Sequence, residues 1–553
     1  MKKGLLIGIF IIAFLLRFYQ LGDYPKGFHR DEAFFGYNAY SLLMTGRDMS
    51  GNFFPLHLAS YLYSPAGYSY LAAPSVAVFG LNEFSVRFPS AFFGALSIPL
   101  FYILLKQLFI HNRYKEKLSI IASVLFATAP WHINLSRTTT ENTVVLFFIL
   151  LGLVFFFHWR NKQTLPFLLV SFLSFFVTVF LYQAPRAFLP FFLPFLFLSL
   201  AYKQARKHVK VLLILFIFII LPITYVVSSS HLSLRIASLS LTSSPEVSPV
   251  LTEAIHRDGQ EGVAFQIIRL FHNKPVIFSD IFLTNYFSHF SYSFLFTDSG
   301  YPDRYRVPGV GLFLLMTLPF LLYGFFELLK SNRQEGLFLL GWIILTPIGS
   351  ALTFDDVPNL QRTLFMLPPL LTGISFGVVS FFQLLQKKKL FFLTLLLFFA
   401  FFTSFFFARY LHQYYVHGSV YRPWYRQDGY RELVAKVDKH LPGYKKAIIT
   451  DRESAPTIFF LFYSVYDPAK FQQETRYSPM RDFDRIGFGK YEFSQEECPF
   501  PTAKTPPAEK KIIIEKDVLY VNSGLCDKIE NAKYIQMIKR ADDSTVFEIL
   551  YKE

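Results

Sequence analysis

Two adjacent carboxylates, Asp31 and Glu32, follow closely on the first apolar run of the chain, residues 5–18 behind Lys2 and Lys3. Acidic side chains beside lipid in a many-span protein are costly to keep, so a job for them is the default hypothesis. A carboxylate there can act as a general base and take the proton of an acceptor hydroxyl. Neighbouring residues on a helix point in different directions, so the two are not expected to share one proton. One would be the base, and the other would orient the acceptor or a nearby cation. The competing structural reading is that Asp31 caps a helix, since Asp is a favoured N-cap. Three positions on stands Phe34, so that cap would lack a capping-box partner. His29 and Arg30 come just before the pair and could meet a phosphate or tether the loop at the headgroups.

Four arginines fall in segments that the charge pattern places on the same side: Arg87, Arg137, Arg186 and Arg362. The positive-inside rule predicts few arginines in short outer loops. A guanidinium can hold a phosphate bidentately, and the alternative for each is snorkelling or a helix-end salt bridge. Together with an acidic pair, the set favours an anionic lipid headgroup. Glu141, one turn after Arg137, and Asp355 are supporting residues. Asp355 and Asp356 could hold a divalent cation with Glu141 or Asp31, but nothing in the sequence fixes that geometry. No metal site is assigned, and metal dependence is left open. His57 and His132 read as satisfied loop residues.

The elements that must position these residues are membrane spans. The chain has 553 residues, is 53% hydrophobic and contains 69 Phe. Repeated apolar runs of spanning length exclude a soluble protein. The net charge of +15 does not point to nucleic acid, because Lys and Arg cluster in short segments between apolar runs: 2–3, 113–117, 160–162, 203–210, 330–333 and 387–389. Eleven spans are expected, at about 4–20, 88–108, 118–131, 142–158, 165–182, 187–202, 210–228, 309–329, 336–352, 363–384 and 390–408. With the amino terminus inside, every basic cluster is cytoplasmic. The loops 21–87, 132–141, 183–186, 229–308 and 353–362 and the tail 409–553 are then outside. The first run lacks a small-residue cleavage site and reads as an uncleaved anchor.

Within the first outer loop, 32–44 carries apolar residues at helical spacing with Gly46 as a stop, which suits a helix lying in the membrane interface. A second interfacial helix is expected in 61–78. The transmembrane domain is thus 1–408, followed by a soluble α/β domain over 409–553. In that tail 430–440 reads as a helix, 446–450 and 511–521 as strands, 499–507 as a Pro-rich loop, and 546–551 as a strand that could pair at an edge. Cys498 and Cys526, the two cysteines of the chain, either pair or stay reduced.

The string Asp31-Glu32-Ala33-Phe34-Phe35-Gly36 resembles the Asp-Glu-x-x-Phe-Gly motif of the protein O-mannosyltransferases. Arg87 with Pro89-Ser90-Ala91 and Gly94 resembles their next motif. Ser136-Arg137 followed by Glu141 is similar to their Ser-Arg motif, one residue shorter in spacing and with Glu for Asp. The resemblance covers about 5–410 and is to C-type (GT-C) glycosyltransferases, in the bacterial branch that also resembles the lipid A aminoarabinose transferases.

It implies a polyprenyl-phosphate-linked sugar as donor, an extracytoplasmic acceptor (glycan, lipid or protein) and inversion at the anomeric carbon. It implies Asp31 as the base, with Glu32 and Arg87 as further site residues. The expected place is the plasma membrane, multi-pass, with membrane lipids as neighbours, no cofactor beyond the lipid-linked substrate and no nucleic-acid partner. The mannosyltransferases insert a β-trefoil module in the mid-chain loop; 229–308 is too short for one, which weakens the case for a protein acceptor. The alternatives are a transporter or lipid-linked sugar flippase, for which the spans carry almost no central charge, and a polysaccharide ligase or polymerase.

Overall fold

The computed structural model describes all residues except 1, 60–62, 230–232, 246, 386–387, 477–483, 502–513, 529–531 and 553. Among its helices are α1 (Lys2–Phe18), α2 (Arg30–Thr45), α3 (Gly67–Phe79), α4 (Glu83–Leu108), α5 (Lys115–Ala127), α6 (Pro130–Ser136), α7 (Glu141–Lys162), α8 (Leu165–Leu181), α9 (Ala184–Leu200), α10 (Val209–Ser228), α11 (Leu318–Ser331), α12 (Arg333–Leu345), α13 (Leu367–Leu385) and α14 (Lys389–His412). A helix thus stands at each of the eleven expected segments. Length and apolarity alone qualify fewer as spans: Glu83–Leu108, Glu141–Lys162, Val209–Ser228, Leu364–Leu385 and Lys389–Val420. Lys115–Ala127 with Pro130–Ser136, bent by 53°, would be a sixth. The expected span at 309–329 begins its α-helix only at Leu318.

The chain divides into two compact units. The helical unit comprises 1–16, 93–135 and 140–410. Its helices α10 and α14 expose Leu213, Ile217, Phe218, Phe398, Phe401 and Phe405, as lipid-facing helices would. By contrast α7 and α13 bury most of their length, and the apolar segment Leu364–Leu385 is 83% buried. A lipid-facing helix and a bundle-centre helix are both apolar, so hydropathy alone does not separate them.

The second unit comprises 17–92, 136–139 and 411–553, so the first loop groups with the tail. Its sheet is built from β3 (Lys446–Thr450), β4 (Tyr491–Ser494), β5 (Val518–Ser523), β6 (Ala532–Lys539) and β7 (Thr545–Lys552), while β1 (His57–Leu58) and β2 (Ser64–Pro65) form a separate antiparallel pair. The sheet order is β4-β3-β5-β7-β6, parallel on both sides of β3 and antiparallel around β7. The segment 546–551, expected at an edge, therefore lies inside the sheet, and β6, which carries Lys533 and Lys539, takes the edge. Of the expected strand 511–521, β5 begins at Val518; residues 511–513, like 502–507 of the Pro-rich loop, lie outside the described residues.

Period-two alternation gives the sheet two apolar faces. Ala447, Ile449, Leu519, Val521, Phe547 and Ile549 pack on one side with α15 (Tyr430–His440), α16 (Pro456–Tyr463) and α17 (Pro468–Glu474). Val518, Tyr520 and Leu550 pack on the other with Phe500. The first face also takes Phe28, Ala33 and Tyr37 around the start of α2. Cys498 and Cys526 form a disulfide.

Candidate active site

The first turn of α2 decides what its two carboxylates can do. His29, in extended conformation, is the N-cap, and its Nδ1 accepts the Asp31 amide N–H at 3.1 Å. Glu32, at the third helical position, accepts the His29 amide N–H at 3.3 Å and completes a capping box. Asp31 is therefore not the cap considered from its sequence context. It is the second residue of the helix, where the N-terminus favours a negative charge. The C-terminus of α2 ends at Gly46 in the left-handed region, φ +66°, the stop expected there.

Glu32 is buried at 4% exposure and accepts from five donors. Arg87 Nε and Nη2 reach it at 2.9 and 3.2 Å, and the Thr139 amide and hydroxyl both at 3.0 Å. Burial on its own would raise the Glu32 carboxyl. The charge and hydrogen bonds of Arg87, with those of Thr139, more than offset this and hold it below the ordinary carboxylate value. Glu32 is an anion with its acceptor sites filled.

Arg87 is fully buried. Besides Glu32 it donates to the carbonyls of Leu21 (3.2 Å), Pro25 (3.4 Å) and Gly27 (2.9 Å), which uses every guanidinium N–H. Arg137, also fully buried, donates from Nε to the Tyr414 hydroxyl at 3.0 Å and from Nη2 to the carbonyls of Tyr19 (2.7 Å) and Tyr24 (3.4 Å). Its guanidinium lies over the rings of Tyr414 and Tyr415. Two arginines from distant parts of the sequence thus grip the carbonyls of the 19–27 segment that delivers the chain to α2.

Asp31 differs from its neighbour. Its side chain is 48% exposed, with Oδ2 3.4 Å from His29 Nδ1. Because Nδ1 accepts the Asp31 amide proton, that short approach is not an ion pair while the imidazole is neutral. Arg30 turns to the tail: its amide donates to Gln427 Oε1 at 3.0 Å and its guanidinium to Ser454 Oγ at 3.0 Å, with Asp484 at 3.8 Å.

The remaining sequence-derived residues lie in the helical unit. Glu141 opens α7, buried, and accepts from Gln361 Nε2 at 3.3 Å. Arg186, buried near the start of α9, donates from Nε to the Val179 carbonyl at 3.0 Å. Arg362 donates to Thr353 Oγ1 and the Asp355 carbonyl, both at 2.7 Å, and approaches the Asp355 carboxylate at 3.9 Å. The loop bearing Arg362 is pinned by His289, whose Nε2 accepts the Asn359 amide N–H at 3.1 Å. Burial pushes the His289 pKa down to about 4, which keeps that nitrogen an acceptor. Burial and the adjacent Asp355 push Asp356 up, partly countered by Arg304 and Arg362. His132, expected outside, is fully buried against Phe126. Among the described residues no group of three or more His, Cys, Asp or Glu side chains could hold a metal ion.

So the structure brings Glu32 to Arg87, and Arg362 to Asp355. Thr139 was missed by sequence reasoning. It stands 107 positions from its partner, and a threonine in a Ser-Arg-Thr-Thr-Thr run carries no signal of its own. Gln361 was likewise passed over as a loop amide.

Residues 64–226 match the family described as dolichyl-phosphate-mannose-protein mannosyltransferase. That segment includes Arg87, Arg137, Glu141 and Arg186 and begins after Asp31 and Glu32. A 108-residue stretch is 34% identical to undecaprenyl phosphate-alpha-4-amino-4-deoxy-L-arabinose arabinosyl transferase 2 of Pseudomonas fluorescens (strain Pf0-1); it covers 19% of this chain and 18% of that protein, so less than a fifth of the curated relative is spanned. ArnT from Cupriavidus metallidurans bound to undecaprenyl phosphate superposes with a TM-score of 0.53 at 11% identity, over 99% of this chain and 98% of that one. The oligosaccharyltransferase of Archaeoglobus fulgidus in complex with Zn and sulfate superposes with a TM-score of 0.51 at 15% identity, over 83% and 61%. Residues 64–226 are thus similar to that mannosyltransferase family, and the fold of the chain is similar to that of these two membrane transferases.

Proposed function

We propose that this protein transfers a sugar from a polyprenyl-phosphate carrier to an acceptor hydroxyl, with Asp31 as the general base. The observation that carries the reading is the contrast between two adjacent carboxylates. Glu32 is saturated by Arg87, Thr139 and the cap, whereas Asp31 stands half exposed on the same rigid turn. The donor class is supported by the names of the relatives, one an undecaprenyl-phosphate sugar transferase and one a structure with bound undecaprenyl phosphate.

In this reading Asp31 takes the acceptor proton as the acceptor oxygen bonds to the anomeric carbon. The bond from that carbon to the phosphate oxygen breaks, and the carrier leaves as a phosphate monoester. The sugar passes through oxocarbenium character, and a single displacement inverts its configuration. A phosphate is a good leaving group, so one base suffices. Arg87 and Arg137, with their donors committed to Glu32 and to carbonyls, position the turn that bears Asp31. Arg186 and Arg362 keep the role of offsetting charge on the phosphate, with Glu141 and Asp355 as their supporting acids. The reaction is assigned to the plasma membrane, on the face opposite the basic loops, and the acceptor to the cell envelope.

The test is Asp31→Asn, assayed for transfer from a polyprenyl-phosphate sugar to envelope acceptors in proteoliposomes. Turnover is expected to fall by roughly 10²–10⁴ with an unchanged melting temperature. Full turnover would rule out the base, and a product with the donor's anomeric configuration would rule out a single displacement.

A further inference from the structure

At the basic end of the helical unit, the turn between α4 and α5, the end of α11 and the last turns of α13 enclose a cavity of about 330 Å³. It contains no residue of the candidate active site. Its size lies in the ordinary range for small-ligand sites. Lys115, Lys117, Lys330 and Arg333 flank the lining segments in sequence.

The lining is chemically mixed. His111, Arg113, Ser380 and Gln383 contribute donors, Glu327 a carboxylate, and Phe376 with Val379 an apolar side. One buried donor is unmet, and an exposed guanidinium beside it carries no counter-charge. Among the described residues Gln383 Nε2 is buried with no acceptor, and Arg113 has no carboxylate partner, its guanidinium resting 4.4 Å from the centre of the Tyr114 ring. A buried donor left without an acceptor is destabilising and calls for an explanation. Glu327 takes the Tyr323 hydroxyl and has no cationic partner among the described residues. The Asn112 amide donates to Asn332 Oδ1 at 3.1 Å and closes the wall between the turn and α11.

We propose that this cavity holds the headgroup of an aminophospholipid. The phosphate meets Arg113 and the Gln383 amide, the ammonium meets Glu327, and the first part of an acyl chain runs along Phe376 and Val379. A cationic wall alone would accept any phosphate. The carboxylate in the same cavity disfavours a purely anionic headgroup and rewards one that brings its own N–H donors. Basic pockets between spanning helices are recognised sites for lipid headgroups, and here a second sign of charge selects among them.

The experiment is lipid retention by the full-length protein, read by native mass spectrometry after incubation with phosphatidylethanolamine, phosphatidylcholine or phosphatidylglycerol. Phosphatidylethanolamine is expected to be retained about tenfold better than phosphatidylcholine, whose nitrogen has no N–H. Arg113→Gln should weaken retention of all three about tenfold, and Glu327→Gln should abolish the preference for the primary amine without loss of phosphatidylcholine. Gln383→Leu removes the unmet donor without a change of charge; a folded variant with undiminished retention would count against the phosphate position. Equal retention of the three lipids by the wild type would overturn the proposal. So would displacement of the lipid by inorganic phosphate as effectively as by glycerophosphoethanolamine, which would identify free phosphate as the occupant.

Discussion

Glu32 is the residue whose loss the fold should feel most. Its removal would leave the Arg87 guanidinium fully buried without a counter-charge, and breaking a buried pair from one side costs about 3–5 kcal/mol. Glu32→Gln is therefore expected to lower the melting temperature markedly, while Asp31→Asn leaves it in place; thermal unfolding of the two variants side by side checks this. The pH dependence follows from the same group. Its folded pKa lies below the ordinary 4.5, so the unfolded chain binds its proton first as acid is added. The stabilisation is present in full above that value and is lost as pH falls through the depressed folded one. The wild type should accordingly show a steeper acid loss below about pH 4.5 than Glu32→Gln does.

The sequence singled out Asp31, Glu32, Arg87 and Arg137, because charged residues in an apolar chain stand out. It did not show that two of these spend their charge on each other, since side-chain pairing across 55 positions leaves no periodic trace. The cap itself, His29, went unrecognised for a related reason. Histidine is not among the favoured N-caps, yet the Nδ1 lone pair here fills the same need as a carboxylate oxygen.

At the scale of elements, α2 works as a bracket between the first loop and the tail. A Cβ added at Gly36 would sit 2.5 Å from Val86 Cγ2 and 2.7 Å from the Phe462 ring. Gly36→Ala should destabilise the second unit by about 1–3 kcal/mol and lower turnover by displacing the turn that bears Asp31. A melting curve paired with the transfer assay measures both. The helix Tyr430–His440 and the strand Lys446–Thr450 were legible to the residue, because the amphipathic period of the one and the β-branched run of the other both stop at turn residues. The strand Ala532–Lys539 was not, since its charges and irregular pairing with β7, with register shifts near Tyr534 and Ile538, blur the alternation. The edge position given to 546–551 belonged to that unseen strand.

On the scale of the whole molecule, a helix at each apolar segment was readable from hydropathy, but the grouping of 17–92 with 411–553 was not. That grouping rests on apolar contacts such as those of Tyr37 and Phe28 with the helices of the tail, and hydropathy carries no information on partners. The Cys498–Cys526 bridge closes a loop across 28 positions in this unit. Chain-entropy reasoning gives it about 3–4 kcal/mol. Reduction, or Cys→Ser at both positions, should lower the melting temperature of the sheet-bearing unit, as followed by limited proteolysis of the heated protein.

The order of synthesis gives that grouping a further meaning. Ribosomes deliver α2 roughly five hundred residues before β7, at a pace of about 5–20 residues per second, so the aspartate-bearing turn must wait, half-dressed, for the sheet. A polypeptide stopped at 410 should leave Ala33 and Tyr37 uncovered and be cut by protease near them, while the finished chain resists. The base of that turn would then stay open to water through most of synthesis and close only when the sheet of the second unit has formed.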